Sequence, residues 1–205
     1  MDTPNIGTKR RIEAFFPTLV GYSYNAQHNP NEKKWSDHCL KLSETTKPGG
    51  TNWIANKTYN TEGTLNLFED AVFDDLNQWV VQEAVWFCKD YGINWKTIDF
   101  KKTICWFNIY KKYDYQDVHI HQGSALSAIY FLKGSPTCAK TYVLTPHDTV
   151  PPIPMDTWGP HSQETIWQYP DPGQLMIFRS HVRHAVGRQE TDDPRISLSY
   201  NFYLR

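Results

Sequence analysis

The chain has 205 residues, 40% of them hydrophobic and 15% aromatic, which excludes disorder over most of its length and suits one domain with a real core. Lys and Arg number 21 against 22 Asp and Glu, a formal net charge of −1, so no general electrostatic grip on nucleic acid or an anionic membrane is implied. The longest apolar runs, 84–88 and 128–132, are five residues, whereas a membrane-spanning helix needs about 18 or more.

The first eleven residues are polar and charged, with no apolar segment of the secretory type. The four cysteines (Cys39, Cys88, Cys105, Cys138) are widely spaced and form no Cys-x-x-Cys pair. Reduced thiols in a cytoplasmic protein are expected, in the host cytoplasm if the chain is phage-encoded. Residues 15–24 read as a short strand. Residues 25–64 are mixed and polar, with a short helix at 35–42 and a turn at Pro48-Gly49-Gly50. Residues 66–91 carry an apolar stripe (Leu65, Phe68, Val72, Leu76, Val80, Ala84, Phe87, Tyr91) at spacings of three and four, which predicts one amphipathic helix. Asn66 and Glu69 have capping-box spacing, and Gly92 stops the helix.

After Gly92 the pattern changes to strands: 103–110, 125–132, 141–144, 165–168, 174–178, 182–186 and 195–203, rich in β-branched and aromatic residues. The expected fold is mostly β: a double-stranded β-helix (jelly roll, cupin-like) with a long supporting α-helix. A single domain over 1–205 is expected. Residues 1–100 supply an N-terminal strand, an irregular segment and the helix; residues 101–205 form the core with the site. The Pro-rich stretch 146–160 is a candidate lid.

His119 and His121 flank Ile120. In extended chain, residues two apart share a face, so both rings can converge on one ion. A third histidine, His184, follows the strand at 174–178, with His181 close by. In the last strand Arg195, Ser197, Ser199 and Asn201 share one face; Ile196, Leu198, Tyr200 and Phe202 share the other. If the polar face lines a barrel, Arg195 is a buried cation that needs an anion. Its planar fork suits a carboxylate, and Ser197 can add a hydroxyl. The residues thus point to a metal held by histidines beside an arginine that grips a dicarboxylate.

The ordered segments Trp106-Phe107-Asn108-Ile109-Tyr110, His119-Ile120-His121, Leu126-Ser127-Ala128-Ile129-Tyr130, Pro172-Gly173-Gln174-Leu175, His184-Ala185-Val186 and Arg195-Ile196-Ser197 resemble the iron(II)/2-oxoglutarate-dependent oxygenases, in particular prolyl-hydroxylase-like members from bacteria and tailed phages. The resemblance implies an Fe(II) cofactor and 2-oxoglutarate as cosubstrate. It implies hydroxylation of a small-molecule or peptidyl substrate by molecular oxygen, with release of succinate and carbon dioxide. His119 matches the first metal ligand and His184 the distal one. Arg195 matches the residue that pairs with the far carboxylate of 2-oxoglutarate, with Ser197 and Tyr110 beside it. Asn108 and Asn201 would line the substrate side of the pocket. The usual carboxylate position holds His121. Either His121 is the third ligand, or Asp117 is the alternative that restores a carboxylate, or metal binds poorly. Three alternatives to the primary reading stay open: a three-histidine metal dioxygenase without 2-oxoglutarate, a non-catalytic jelly-roll binding module, and a nucleic-acid repair enzyme. The near-neutral charge argues against the last. No membrane partner is expected, and a homodimer is left open.

Overall fold

The computed structural model describes residues 17–50, 58–146 and 163–205. Ten strands and two long helices follow in the order β1 (Val20–Tyr24), α1 (His28–Thr45), β2 (Tyr59–Asn60), α2 (Asp74–Tyr91), β3 (Ile98–Tyr110), β4 (Gln116–His119), β5 (Leu126–Lys133), β6 (Thr141–Leu144), β7 (Thr165–Gln168), β8 (Gln174–Arg179), β9 (His184–Val186) and β10 (Arg195–Leu204). The strands make two antiparallel sheets. The larger runs β1-β8-β5-β10-β3-β2 and the smaller β4-β9-β6-β7. This is the expected jelly roll, with helices packed on the outer face of the larger sheet. No helix among the described residues is long and apolar enough to cross a membrane.

Strand β5 shows why the run 128–132 has no polar residue. Its alternate residues face two different apolar layers. Ala128, Tyr130 and Leu132 join the layer under the helices, with Trp35, Leu76, Val80, Phe87, Leu198 and Tyr200. Ile129 and Phe131 point between the sheets, with Val143, Met176 and Phe178. Strand β10 divides in the same way. Ile196, Leu198, Tyr200 and Phe202 belong to the helix-side core, which leaves Arg195, Ser197 and Ser199 facing the barrel interior.

Several element boundaries differ from those read in the sequence. The helix expected at 35–42 is α1, 18 residues long. Its buried positions are His28, Trp35, Ser36 and Cys39. This stripe has helical spacing but few aliphatic residues, so it carries little apolar periodicity. The helix expected over 66–91 begins at Asp74, after two 3₁₀ turns at Leu67–Glu69 and Ala71–Phe73. Asn66 does cap, but it caps the first 3₁₀ turn: its Oδ1 accepts from Phe68 N (3.1 Å). The same oxygen accepts from Cys105 N (2.9 Å), and Thr61 Oγ1 accepts from Phe107 N (3.2 Å), so this segment covers the open edge of β3. At the far end Gly92 has φ +82, and Ile93 N donates to Cys88 O (2.7 Å), which closes α2 as expected. The strand expected over 15–24 starts at Val20, with residues 15 and 16 outside the described residues. Strand β3 begins five residues earlier than expected, at Ile98. The final β strand of the smaller sheet's centre, β9, begins at His184, not at 182. The proposed lid lies, save for residue 146, outside the described residues. All four cysteines are free and buried.

Candidate active site

Strands β4 and β9 pair antiparallel with His119 directly opposite His184. Strand β4 ends at His119. His121 lies just beyond it, tied to the larger sheet by its N–H, which donates to Ser180 O (3.0 Å). The three rings meet. Centroid separations are 4.1 Å (His119–His184), 5.0 Å (His121–His184) and 5.2 Å (His119–His121). One nitrogen from each lies within 4.8 Å of the other two, an arrangement that could hold a metal ion. His119 Nδ1 donates to Asp117 O (2.7 Å) and His184 Nδ1 to Val182 O (2.9 Å). Both bonds leave Nε2 unprotonated, the usual state of a ligating imidazole. Burial pushes all three rings down from the ordinary histidine range: His121 to about 3, His184 well below, and His119 downward against the pull of Asp117. Neutral imidazoles are what a cation requires. Asp117, the alternative ligand two residues before His119, is not part of this group. Asp117 is exposed, and its Oδ1 accepts from Val118 N (2.9 Å). His181 is also exposed and outside the group.

The histidines share a cavity of about 290 Å³ with Tyr110, Gln116, Arg195 and Ser197. Arg195 is 1% exposed. Its Nε donates to Ala139 O (3.1 Å) and its Nη2 to Thr141 Oγ1 (3.0 Å). The guanidinium carbon lies 4.0 Å from the Tyr110 ring centroid. Nη1 is buried and has no partner. Among the described residues no carboxylate pairs with Arg195. Burial lowers its pKa, against the opposing influence of the Tyr110 phenol. A buried guanidinium with an unused N–H and no counter-charge is costly unless an anion completes it. The cavity beside it is therefore suited to a carboxylate, and the three converging neutral imidazoles are suited to a divalent metal.

Two residues of this cavity were not found by sequence reasoning. Gln116 Oε1 accepts from Tyr110 Oη (2.7 Å), and its Nε2 donates to Asn108 Oδ1 (3.4 Å), so it orients both. Glu62 lines the cavity and also a second one of about 640 Å³, which Trp106 shares. A lone Gln or Glu in a polar stretch gives no sequence signal. Asn108 is buried and donates to Ser199 Oγ (3.0 Å). Asn201 is buried beside His121 and lines the second cavity.

Residues 104–201 match the model of the family described as "Putative 2OG-Fe(II) oxygenase". No curated protein is significantly similar in sequence. The fold is similar to that of a prolyl-4-hydroxylase from Pseudomonas putida, at 14% identity and TM-score 0.67, covering 92% of this chain and 94% of that one. It is similar to the non-heme alpha-ketoglutarate-dependent epimerase SnoN of nogalamycin biosynthesis (11%, TM-score 0.63, 91% and 78%). It is also similar to a Trichoplax adhaerens prolyl hydroxylase solved with a hypoxia inducible factor peptide fragment (13%, TM-score 0.59, 90% and 83%). At these identities the likeness is one of fold, and the family match lies on the strands that build the cavity. It is thus the β core, residues 104–201, that matches the 2OG-Fe(II) oxygenase family.

Proposed function

We propose that the protein is an iron(II)- and 2-oxoglutarate-dependent dioxygenase that hydroxylates a small-molecule or peptidyl substrate. In this reading His119, His121 and His184 hold the iron, and Arg195, Ser197 and Tyr110 hold the far carboxylate of 2-oxoglutarate. The observation that carries it is the unpartnered Nη1 of buried Arg195 in the same cavity as three converging imidazoles. A metal dioxygenase without an oxo acid leaves that N–H unexplained, and so does a simple binding module.

The donor set fits the family's cofactors on this chain's own geometry. His121 Nε2 and His184 Nε2 are 3.2 Å apart, near the separation of about 3 Å that two nitrogens bound at roughly 2.1 Å take on neighbouring positions of one ion. When bound, iron and 2-oxoglutarate supply the oxygen chemistry, with succinate and carbon dioxide as products. The chain's residues do the rest. Arg195 neutralises and orients the dicarboxylate, and Tyr110, held by Gln116, fixes the guanidinium plane from below. Three neutral ligands leave the full positive charge on the ion, which favours an anionic cosubstrate. Ile129 and Val186 line the cavity and keep one wall dry.

The second cavity meets the first at Glu62 and Trp106 and is lined by Thr103 and Asn201 among others. It is the natural approach for substrate, on the side away from Arg195. Asn201 faces this approach; Asn108, bonded to Gln116 and Ser199, supports the pocket wall. The test is succinate formed from 2-oxoglutarate by iron-loaded protein in air. Turnover above that of a His184→Ala control is expected, even at the slow rate of uncoupled reaction. No succinate from protein that has bound both iron and 2-oxoglutarate would overturn the assignment.

A further inference from the structure

The hydrogen-bond pattern around His121 differs from that around the other two rings. His184 Nδ1 donates to the Val182 carbonyl, so His184 Nε2 carries no proton. His121 Nε2 lies 3.2 Å from that nitrogen. Two bare lone pairs repel at this distance, so the proton sits on His121 Nε2 and is donated to His184 Nε2. His121 Nδ1 is then bare and accepts from Asn201 Nδ2 (3.3 Å). The pattern continues without conflict. Asn201 Oδ1 accepts from Ser127 Oγ (2.8 Å), and Ser127 Oγ accepts from Ser180 Oγ (2.8 Å). Ser124 Oγ donates its one proton to Ser180 Oγ (2.9 Å) and lies 3.0 Å from the carbonyl of His121 itself. The chain of side chains thus leaves His121 by its ring and returns to it by its backbone.

In this arrangement Nε2 of His119 and of His184 is unprotonated and that of His121 is not. A metal at the three imidazoles needs the His121 proton on Nδ1, where it must meet an acceptor. Asparagine can supply one without moving its backbone, because its amide oxygen and nitrogen are nearly isosteric and exchange places on a 180° turn. With Oδ1 toward His121, Nδ2 donates to Ser127, Ser127 to Ser180 and Ser180 to Ser124. Ser124 turns its proton from Ser180 to the His121 carbonyl. Every proton has an acceptor in both directions, so reversal loses no side-chain bond in the ring.

We propose that Asn201 is a positioning residue whose amide turns to select the tautomer of His121, and that metal binding reverses the direction of the Asn201–Ser127–Ser180–Ser124 chain. This rests on the reading of the three histidines as metal ligands. The proton count of His121 does not change: Nε2 loses a proton as Nδ1 gains one. The proposal also gives a reason for an amide at position 201, since an apolar side chain ends the relay and a carboxylate can only accept.

The test is a long-range ¹H–¹⁵N correlation spectrum of the histidine rings, with Zn(II) as a diamagnetic probe. Without metal, His121 is expected as the Nε2–H tautomer and His119 and His184 as Nδ1–H. With Zn(II), His121 is expected as Nδ1–H. A His121 that is already Nδ1–H without metal overturns the proposal. Zn(II) affinity gives a second readout. Asn201→Ala is expected to weaken it by about 10- to 100-fold, and Asn201→Asp, which can only accept, to restore it to at least the wild-type value. Wild-type protein that binds neither Zn(II) nor Fe(II) would remove the underlying reading. Wild-type protein that binds, with Asn201→Ala binding equally well, would remove this proposal alone. If Asn201→Ala does not fold, the wild-type spectra decide.

Discussion

Replacing Arg195 by methionine separates binding from folding more cleanly than replacing it by alanine. The side chain is 1% exposed, so alanine leaves a large hole. Methionine fills much of the space and removes only the charge and the N–H groups. Two bonds are lost, to Ala139 O and Thr141 Oγ1, and the carbonyl left behind costs about 1–3 kcal/mol. Against this, a buried cation without an anion is removed, and replacing buried charge by apolar bulk is often neutral or stabilising by about 1–4 kcal/mol. The two nearly cancel, so the Tm of protein without cosubstrate should move by only a few degrees. Binding has no such compensation. Truncating one partner of a buried charge pair costs roughly 2–5 kcal/mol, which is about 30- to 4,000-fold in Kd at 1.4 kcal/mol per decade. Calorimetric titration of 2-oxoglutarate into iron- or zinc-loaded Arg195→Met protein should show that loss, with metal affinity within about threefold of wild type. A Kd for 2-oxoglutarate within threefold of wild type would refute the role given to Arg195. So would equal loss of metal and cosubstrate.

Other consequences follow from the same geometry. His184→Ala should reduce metal affinity by at least about 100-fold, whereas His181→Ala, on an exposed turn three residues away, should leave it unchanged; both are read by competition with a chromogenic chelator. Tyr110→Phe keeps the ring beneath Arg195 and removes one hydroxyl, bonded to Gln116. Loss of about 0.5–1.5 kcal/mol should weaken 2-oxoglutarate roughly 2- to 12-fold. His28 is buried, with Nδ1 2.9 Å from Tyr130 Oη. Burial pulls its pKa below the ordinary histidine value, more than Glu32 and Asp171 raise it. A folded pKa below the unfolded one contributes stability that is complete above about pH 6.5 and is lost as pH falls below it. The stability gap between wild type and His28→Gln, measured by denaturant titration, should therefore narrow from pH 7.5 to pH 5, by at most about 1.4 kcal/mol per unit. A constant or widening gap would contradict this.

The parts of the molecule that were legible in its sequence are those where one residue's neighbours set its environment. Alternation along 195–203 separates the core face from the cavity face because period two is enforced by the strand itself. His119 and His121 could be paired because two residues apart in extended chain share a side. The Ser124, Ser127, Ser180 and Asn201 network could not be read in this way. Ser127 and Asn201 sit on β5 and β10, and Ser124 and Ser180 lie just outside β5 and β8; Ser127 is 53 positions from Ser180 and 74 from Asn201, and none is unusual alone. Helix α1 was under-read because histidine, serine and cysteine make much of its buried stripe. The start of α2 was misplaced because 3₁₀ turns and an α-helix can share an apolar stripe, while Asn66 and Asp70 each cap a short turn of their own.

The most direct measurement of the central claim is the visible spectrum of the protein under anaerobic conditions with Fe(II) and 2-oxoglutarate together. Chelation of the oxo acid to iron held by His119, His121 and His184 should give a charge-transfer band that saturates at one equivalent of each. The band should be absent without either component, and strongly weakened in Arg195→Met at the same concentrations. A colourless mixture, from wild-type protein shown separately to have bound one iron, would contradict the account.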